Sequence, residues 1–131
     1  MSGALYLDSS AIVKLIVSEP ESEALAAYVG SHSIRFASIL ALVEVPRALA
    51  RAVGHVPDRA AAVLGGLTLV TLDARIAARA AAILPAELRS LDAIHLATAV
   101  ELMPDLDTLV TYDTRLANAA VQRGLQVVAP R

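Results

Sequence analysis

Cysteine is absent from this sequence, which excludes a disulfide and a thiolate zinc site. Tryptophan is absent too, and aromatic residues make up only 3% of the chain. A core must therefore come from the Leu, Val, Ile and Ala that dominate its 56% hydrophobic content. Runs without charge are short. The longest, such as Ala60 to Leu72, fall below the roughly 18–20 apolar residues needed to cross a bilayer. The N-terminus has no basic segment and Asp8 interrupts the first apolar run, so no secretory signal is expected. No linker or low-complexity tract divides the 131 residues. Residues 1–131 are read as one cytoplasmic domain with no membrane segment. Lys14 is the single lysine, so the basic side chains are almost all guanidinium forks suited to carboxylate or phosphate. The net charge of −2 gives no general attraction to nucleic acid.

Five strand-like segments are present: ALYL (4–7), IRFA (34–37), LTLVTL (67–72), DTLVTY (107–112) and LQVVA (125–129). Most are continuous apolar runs, which suit strands covered on both faces of a parallel sheet. Helical patterns lie between them, over Ser9–Val17, Pro20–Val29, about 39–52, Pro57–Leu64, Asp73–Leu84, Ser90–Leu102 and Thr114–Arg123. Gly124 supplies a C-terminal stop for the last. The fold class expected is α/β with a mostly parallel sheet.

Ligand sites in such sheets form beyond the carboxyl ends of the strands. Asp8, Asp73 and Asp113 lie at that edge, whereas Asp105 and Asp107 come before the fourth strand, at the other edge. Asp73 and Asp113 sit in near-twin strings, LVTLDARIAA and LVTYDTRLANAA, where an aspartate between strand and helix caps the helix. Two more acids have apolar neighbours. Glu44, in SILALVEVPRALA, either reaches solvent and pairs with Arg47 at i+3 or is held inside, and Pro46 is expected to bend the helix beyond it. Asp92, in LRSLDAIHLATAVEL, falls in a first helical turn if Ser90 is the cap, where the helix dipole favours it. His95 follows on the same face, as a ligand or as an ordinary packed or hydrogen-bonded histidine.

Each acid has an ordinary explanation, but the ordered set of strand-Asp, helix-Glu, helix-Asp and strand-Asp resembles the PIN domain. The closest likeness is to the VapC-type toxins of prokaryotic toxin–antitoxin pairs. LYLDSSAIVKLIVSEPES resembles the family's opening with Asp8, SILALVEVPRAL the helix with Glu44, LRSLDAIHLATAVEL the segment with Asp92, and LVTYDTRLANAAVQRGLQVVAP the closing motif with Asp113. The resemblance implies a three-layer α/β/α fold with a five-stranded parallel sheet of order 3-2-1-4-5. It would set Asp8 and Asp113 on either side of the switch-point crevice and leave Asp73 on an edge strand, as a cap only.

Four carboxylates in one crevice would repel, at about 4 kcal/mol per close pair for an effective dielectric near 20, unless a cation joined them. All-oxygen ligands select a hard ion, Mg²⁺ or Mn²⁺. The resemblance implies an endoribonuclease cutting tRNA, rRNA or mRNA to 5′-phosphate and 3′-hydroxyl ends. Asp8 and Asp92 would be principal metal ligands, with Glu44 and Asp113 at a second ion or at the attacking water. Ser9, Ser10 and Thr111 are candidate hydroxyl donors to those carboxylates. Without the four acids, nine acids face eleven bases, a balance of about +2. Arg47, Arg51 and Arg115 are the candidate RNA phosphate contacts, with Lys14 as a further basic residue. The family further implies a cognate antitoxin and a homodimer or toxin–antitoxin hetero-oligomer. The first helix, AIVKLIV, is apolar on more than one side, which fits either a partner surface or burial in its own core. Alternatives of other classes are a PIN scaffold that only binds partners and a metal-dependent structure-specific DNA nuclease. A receiver domain would need paired acids after the first strand and a lysine after the last. An aspartyl phosphatase would need an acid at Ser10.

Overall fold

The computed structural model describes residues 3–131. Strands β1 (Ala4–Leu7), β2 (Arg35–Ser38), β3 (Thr68–Val70), β4 (Leu106–Val110) and β5 (Val127–Val128) form one sheet. Its order is β3-β2-β1-β4-β5 and every pairing is parallel. The strands are connected by helices α1 (Ser9–Ile16), α2 (Ser22–Gly30), α3 (Ala41–Ala52), α4 (Pro57–Gly65), α5 (Ala74–Ala82), α6 (Ser90–Leu102) and α7 (Thr114–Gln122).

Period-2 alternation in β1 sorts the two cores. Leu5 and Leu7 face a cluster with Ile12, Ile16, Val45 and Leu49, on the side of α1–α4. Ala4 and Tyr6 face one with Ile76, Leu96, Leu116 and Ala120, on the side of α5–α7. Both faces of the sheet are therefore covered, which gives three layers.

Helix α1 contacts α2, α3 and α4, and Ala11, Ile12 and Ile16 are buried while Val13, Leu15 and Val17 pack against the same core. Its several apolar sides serve the protein's own interior. Exposed apolar surface appears instead on and beside α3, at Leu42, Val43 and Val53. Among the described residues no helix is long and apolar enough to cross a membrane.

Several ends differ from the sequence expectation. Helix α2 begins at Ser22, two residues beyond Pro20, because the Ser22 hydroxyl takes the Glu19 N–H and donates to the Lys14 and Val17 carbonyls. Ser90 is the first residue of α6 and Arg89 occupies the cap position, with no side-chain cap. Helix α3 runs from Ala41 to Ala52 with Pro46 inside it. Strand β4 starts at Leu106, paired with Ala4, so Asp107 lies inside it rather than before it.

Candidate active site

Strands β1 and β4 are neighbours, and their next residues are Asp8 and, after Thr111 and Tyr112, Asp113. Asp8 caps α1: its Oδ1 accepts the Ala11 N–H at 3.0 Å and the Ser10 hydroxyl at 2.7 Å. Its Oδ2 accepts the Thr111 hydroxyl at 2.6 Å. The residue is only 4% exposed, and burial pushes its carboxyl above the ordinary value against the pull of Thr111, Ser10, Ala11 and His95. Thr111 thus serves Asp8 rather than Asp113's carboxylate, while its oxygen also receives the Asp113 N–H at 3.0 Å.

Glu44 is half-buried and turned inward. Its Oε1 accepts the Ser9 hydroxyl at 2.8 Å and lies 2.7 Å from His95 Nε2. The alternative pair with Arg47 does not form; Arg47 is exposed and in no ion pair among the described residues. Position i+3 on the exposed flank cannot compete with a buried imidazole facing the helix. Burial raises the Glu44 carboxyl, but the hydrogen bonds with His95 and the Ser9 hydroxyl help bring it below its ordinary value.

His95 continues inward, its Nδ1 2.7 Å from the Tyr6 hydroxyl. Both residues are buried. Burial, followed by the charges of Asp8 and Glu44, raises Tyr6 well above its ordinary value, so the phenol keeps its proton. A Tyr6 O–H donating to Nδ1 leaves Nε2–H for Glu44, which satisfies all three groups. His95 is therefore a hydrogen-bond link rather than a free ligand. Tyr6 escaped the sequence reading. Its only signal was the alternation that turns residue 6 towards the α5–α7 side of β1.

Asp92 and Asp113 complete the edge. Burial raises the Asp92 carboxyl first, and the charge of Asp113 adds to it; Asp8 adds a smaller push, against His95 and Arg89. Asp113 caps α7, with Oδ1 accepting the Arg115 and Leu116 N–H groups at 2.9 and 3.1 Å. Its Oδ2 takes no hydrogen bond among the described residues. Asp73 caps α5 through the Ile76 N–H at 2.9 Å. It follows the edge strand β3, two places from β1. As placed, no three His, Asp or Glu side chains among the described residues lie close enough to ligate one ion. The donor chemistry nonetheless fits a hard cation: the acids at this edge offer only oxygen, and burial with the charges of Asp113 and Asp8 raises Asp92 against the pull of His95 and Arg89.

Arg47 and Arg51 flank a shallow pocket on α3 with Pro46 and Ala50, and Arg115 is exposed beside Asp113. None of the three is in an ion pair among the described residues. Lys14 is different. Its ammonium binds Glu21 at 3.0 Å and Glu19 at 3.3 Å and lies over the Tyr112 ring, so it is not free to meet a phosphate.

The PIN domain pattern matches residues 5–122. Ribonuclease VapC46 of Mycobacterium tuberculosis is 49% identical over 127 residues, spanning 97% of this chain and 98% of that protein. Ribonuclease VapC35 of the same species is 44% identical over 130 residues, with 96% of each covered. Among solved structures, M. tuberculosis VapC20, a sarcin–ricin loop cleaving toxin, superposes with a TM-score of 0.75 at 18% identity, over 96% of this chain and 99% of that one. A toxin–antitoxin complex from Klebsiella pneumoniae gives 0.72 at 23%, over 97% and 98%. The match over residues 5–122 and the full-length similarity to ribonucleases VapC46 and VapC35 make the chain a member of the PIN domain family, of the VapC type.

Proposed function

We propose that this protein is a Mg²⁺- or Mn²⁺-dependent endoribonuclease, the toxin of a toxin–antitoxin pair. The reading is supported by Asp8 and Asp113 lying near enough for their charges to act on Asp92, with Glu44 bonded to His95, in a chain 49% identical to a protein named ribonuclease VapC46.

Asp8, fixed by three neutral donors, and Asp92 would hold the ion. A cation there would relieve the repulsion among these carboxylates. A bound divalent ion lowers the pKa of water and polarises a phosphoryl oxygen. Glu44 is kept ionised by His95 and Ser9, with Oε2 uncommitted among the described residues. That oxygen and Asp113 Oδ2 orient the attacking water. Water oxygen adds to phosphorus, the P–O3′ bond breaks, and a proton passes to the departing oxygen, leaving 5′-phosphate and 3′-hydroxyl ends. Arg47, Arg51 and Arg115 take the RNA phosphates, which position the strand without reading it.

The partner is an antitoxin, as in the Klebsiella complex of the same fold. An apolar groove of about 510 Å³ between α3 and α4, lined by Leu42, Pro46, Leu49, Val56 and Leu64, is a surface suited to its apolar residues. Antitoxin-free protein incubated with tRNA, rRNA, mRNA and DNA panels tests the function. RNA cleavage that requires Mg²⁺ or Mn²⁺ supports it; equal cleavage in EDTA rejects the metal mechanism. Cleavage of DNA alone would give the DNA-nuclease reading, and cleavage of nothing a binding scaffold.

A further inference from the structure

A second cleft adjoins the acidic edge. It has a volume of about 340 Å³ and lies between the loop before α6 and the outer face of α7, within the size range of small-ligand sites. Pro85 and Leu88 supply apolar walls, and Glu87, Arg115, Asn118 and Gln122 supply polar groups. Asn118 and Gln122 are one turn apart on the same helical face. Glu87, Arg115, Asn118 and Gln122 are exposed, and their side chains make no hydrogen bond or ion pair among the described residues. All four stay solvent-accessible, so a ligand could engage them without breaking any interaction of the fold.

The cleft is joined to the acidic edge at both of its walls. Asp113 caps α7, so the helical rise puts Asn118 about 7.5 Å further along the axis, with Arg115 between. The opposing loop leads through Arg89 to Asp92. A strand whose phosphate lies at the acids can therefore extend over Arg115 and turn a neighbouring base into the cleft.

We propose that this cleft is the base-reading subsite for the RNA, and that it takes an unpaired guanine next to the scissile phosphate. This rests on the ribonuclease reading and deepens it. Guanine presents two adjacent donors, N1–H and N2–H₂, which match the acceptor-only carboxylate of Glu87, and two acceptors, O6 and N7, which match amide N–H groups of Asn118 and Gln122. Pro85 and Leu88 cover the ring faces, a role that a chain without tryptophan cannot give to an indole. Uracil offers a single ring donor and leaves part of the set unpaired.

The test is binding of labelled single-stranded UUGUU, UUAUU, UUCUU and UUUUU, read by fluorescence anisotropy without turnover. Wild-type protein in EDTA and Asp8→Asn provide two non-cleaving forms. The expected result is about tenfold tighter binding of UUGUU than of UUUUU. In Glu87→Ala and Asn118→Ala the preference should fall to within about twofold. Equal binding of all four, or a preference that survives both substitutions, overturns the subsite. Guanine discrimination by a protein that, with Mn²⁺, cleaves no RNA would refute the ribonuclease reading and leave the subsite standing. Cleavage without discrimination would do the reverse.

Discussion

Asp73 and Asp113 show how much a local string can and cannot say. Both cap helices through first-turn N–H groups, and that was legible from the strand–Asp–helix order. Their separation into an edge cap and a crevice acid depends on which strands are neighbours, which no short string records. Asp73→Ala and Asp113→Ala should each cost about 1 kcal/mol in urea unfolding, while Asp113→Ala alone weakens Mn²⁺ binding, by about tenfold. The Glu44–His95–Tyr6 chain was illegible for the same reason: its links join residues 51 and 89 apart in sequence. His95→Ala should destabilise by about 1–3 kcal/mol by leaving buried Tyr6 without its partner; a change below 0.5 kcal/mol in denaturant unfolding would contradict the link.

The residue scale also fixes a pH dependence. Asp8 and Asp92 have folded-state values above their unfolded ones. Their contribution to stability is therefore full below the unfolded pKa of about 3.9 and is lost as pH rises through the folded value. Glu44, held low, contributes in the opposite sense, above about 4.3, and loses this as pH falls. In metal-free protein, Asp8→Asn should remove Asp8's share of the loss on going from pH 4 to pH 7. Urea midpoints at the two pH values measure it, and an unchanged difference would show that Asp8 is not destabilised by its burial.

At the scale of elements, the apolar runs marked all five strands and the caps marked several helix starts. Pro57 opens α4 as a first-turn proline, and Gly124 follows α7 with φ of 85°. Nothing lies within 4 Å of a Cβ built there, so Gly124→Ala costs backbone strain alone, about 1 kcal/mol, measurable by thermal or urea unfolding. Helix ends were less legible where hydrogen bonds from outside the helix set them. The Ser22 hydroxyl shifts the start of α2 by reaching back to Lys14 and Val17. Apolarity on several sides of α1 left its surroundings undecided, because periodicity gives the faces of a helix but not what covers them.

For the whole molecule, composition and alternation gave an α/β domain with a mostly parallel sheet, and the family resemblance supplied the order β3-β2-β1-β4-β5 that the structure has. That order brings the ends of β1 and β4 together, and α3 and α6 lean Glu44 and Asp92 over the same edge. The central claim is that a divalent ion binds at this edge, with Asp8 and Asp92 as its principal ligands. Calorimetric titration of Mn²⁺ into metal-free wild-type protein, Asp8→Asn and Asp92→Asn tests it most directly. The account predicts saturable binding by the wild type and at least tenfold weaker binding by either variant. Undetectable binding by the wild type, or equal affinity in all three, would contradict it.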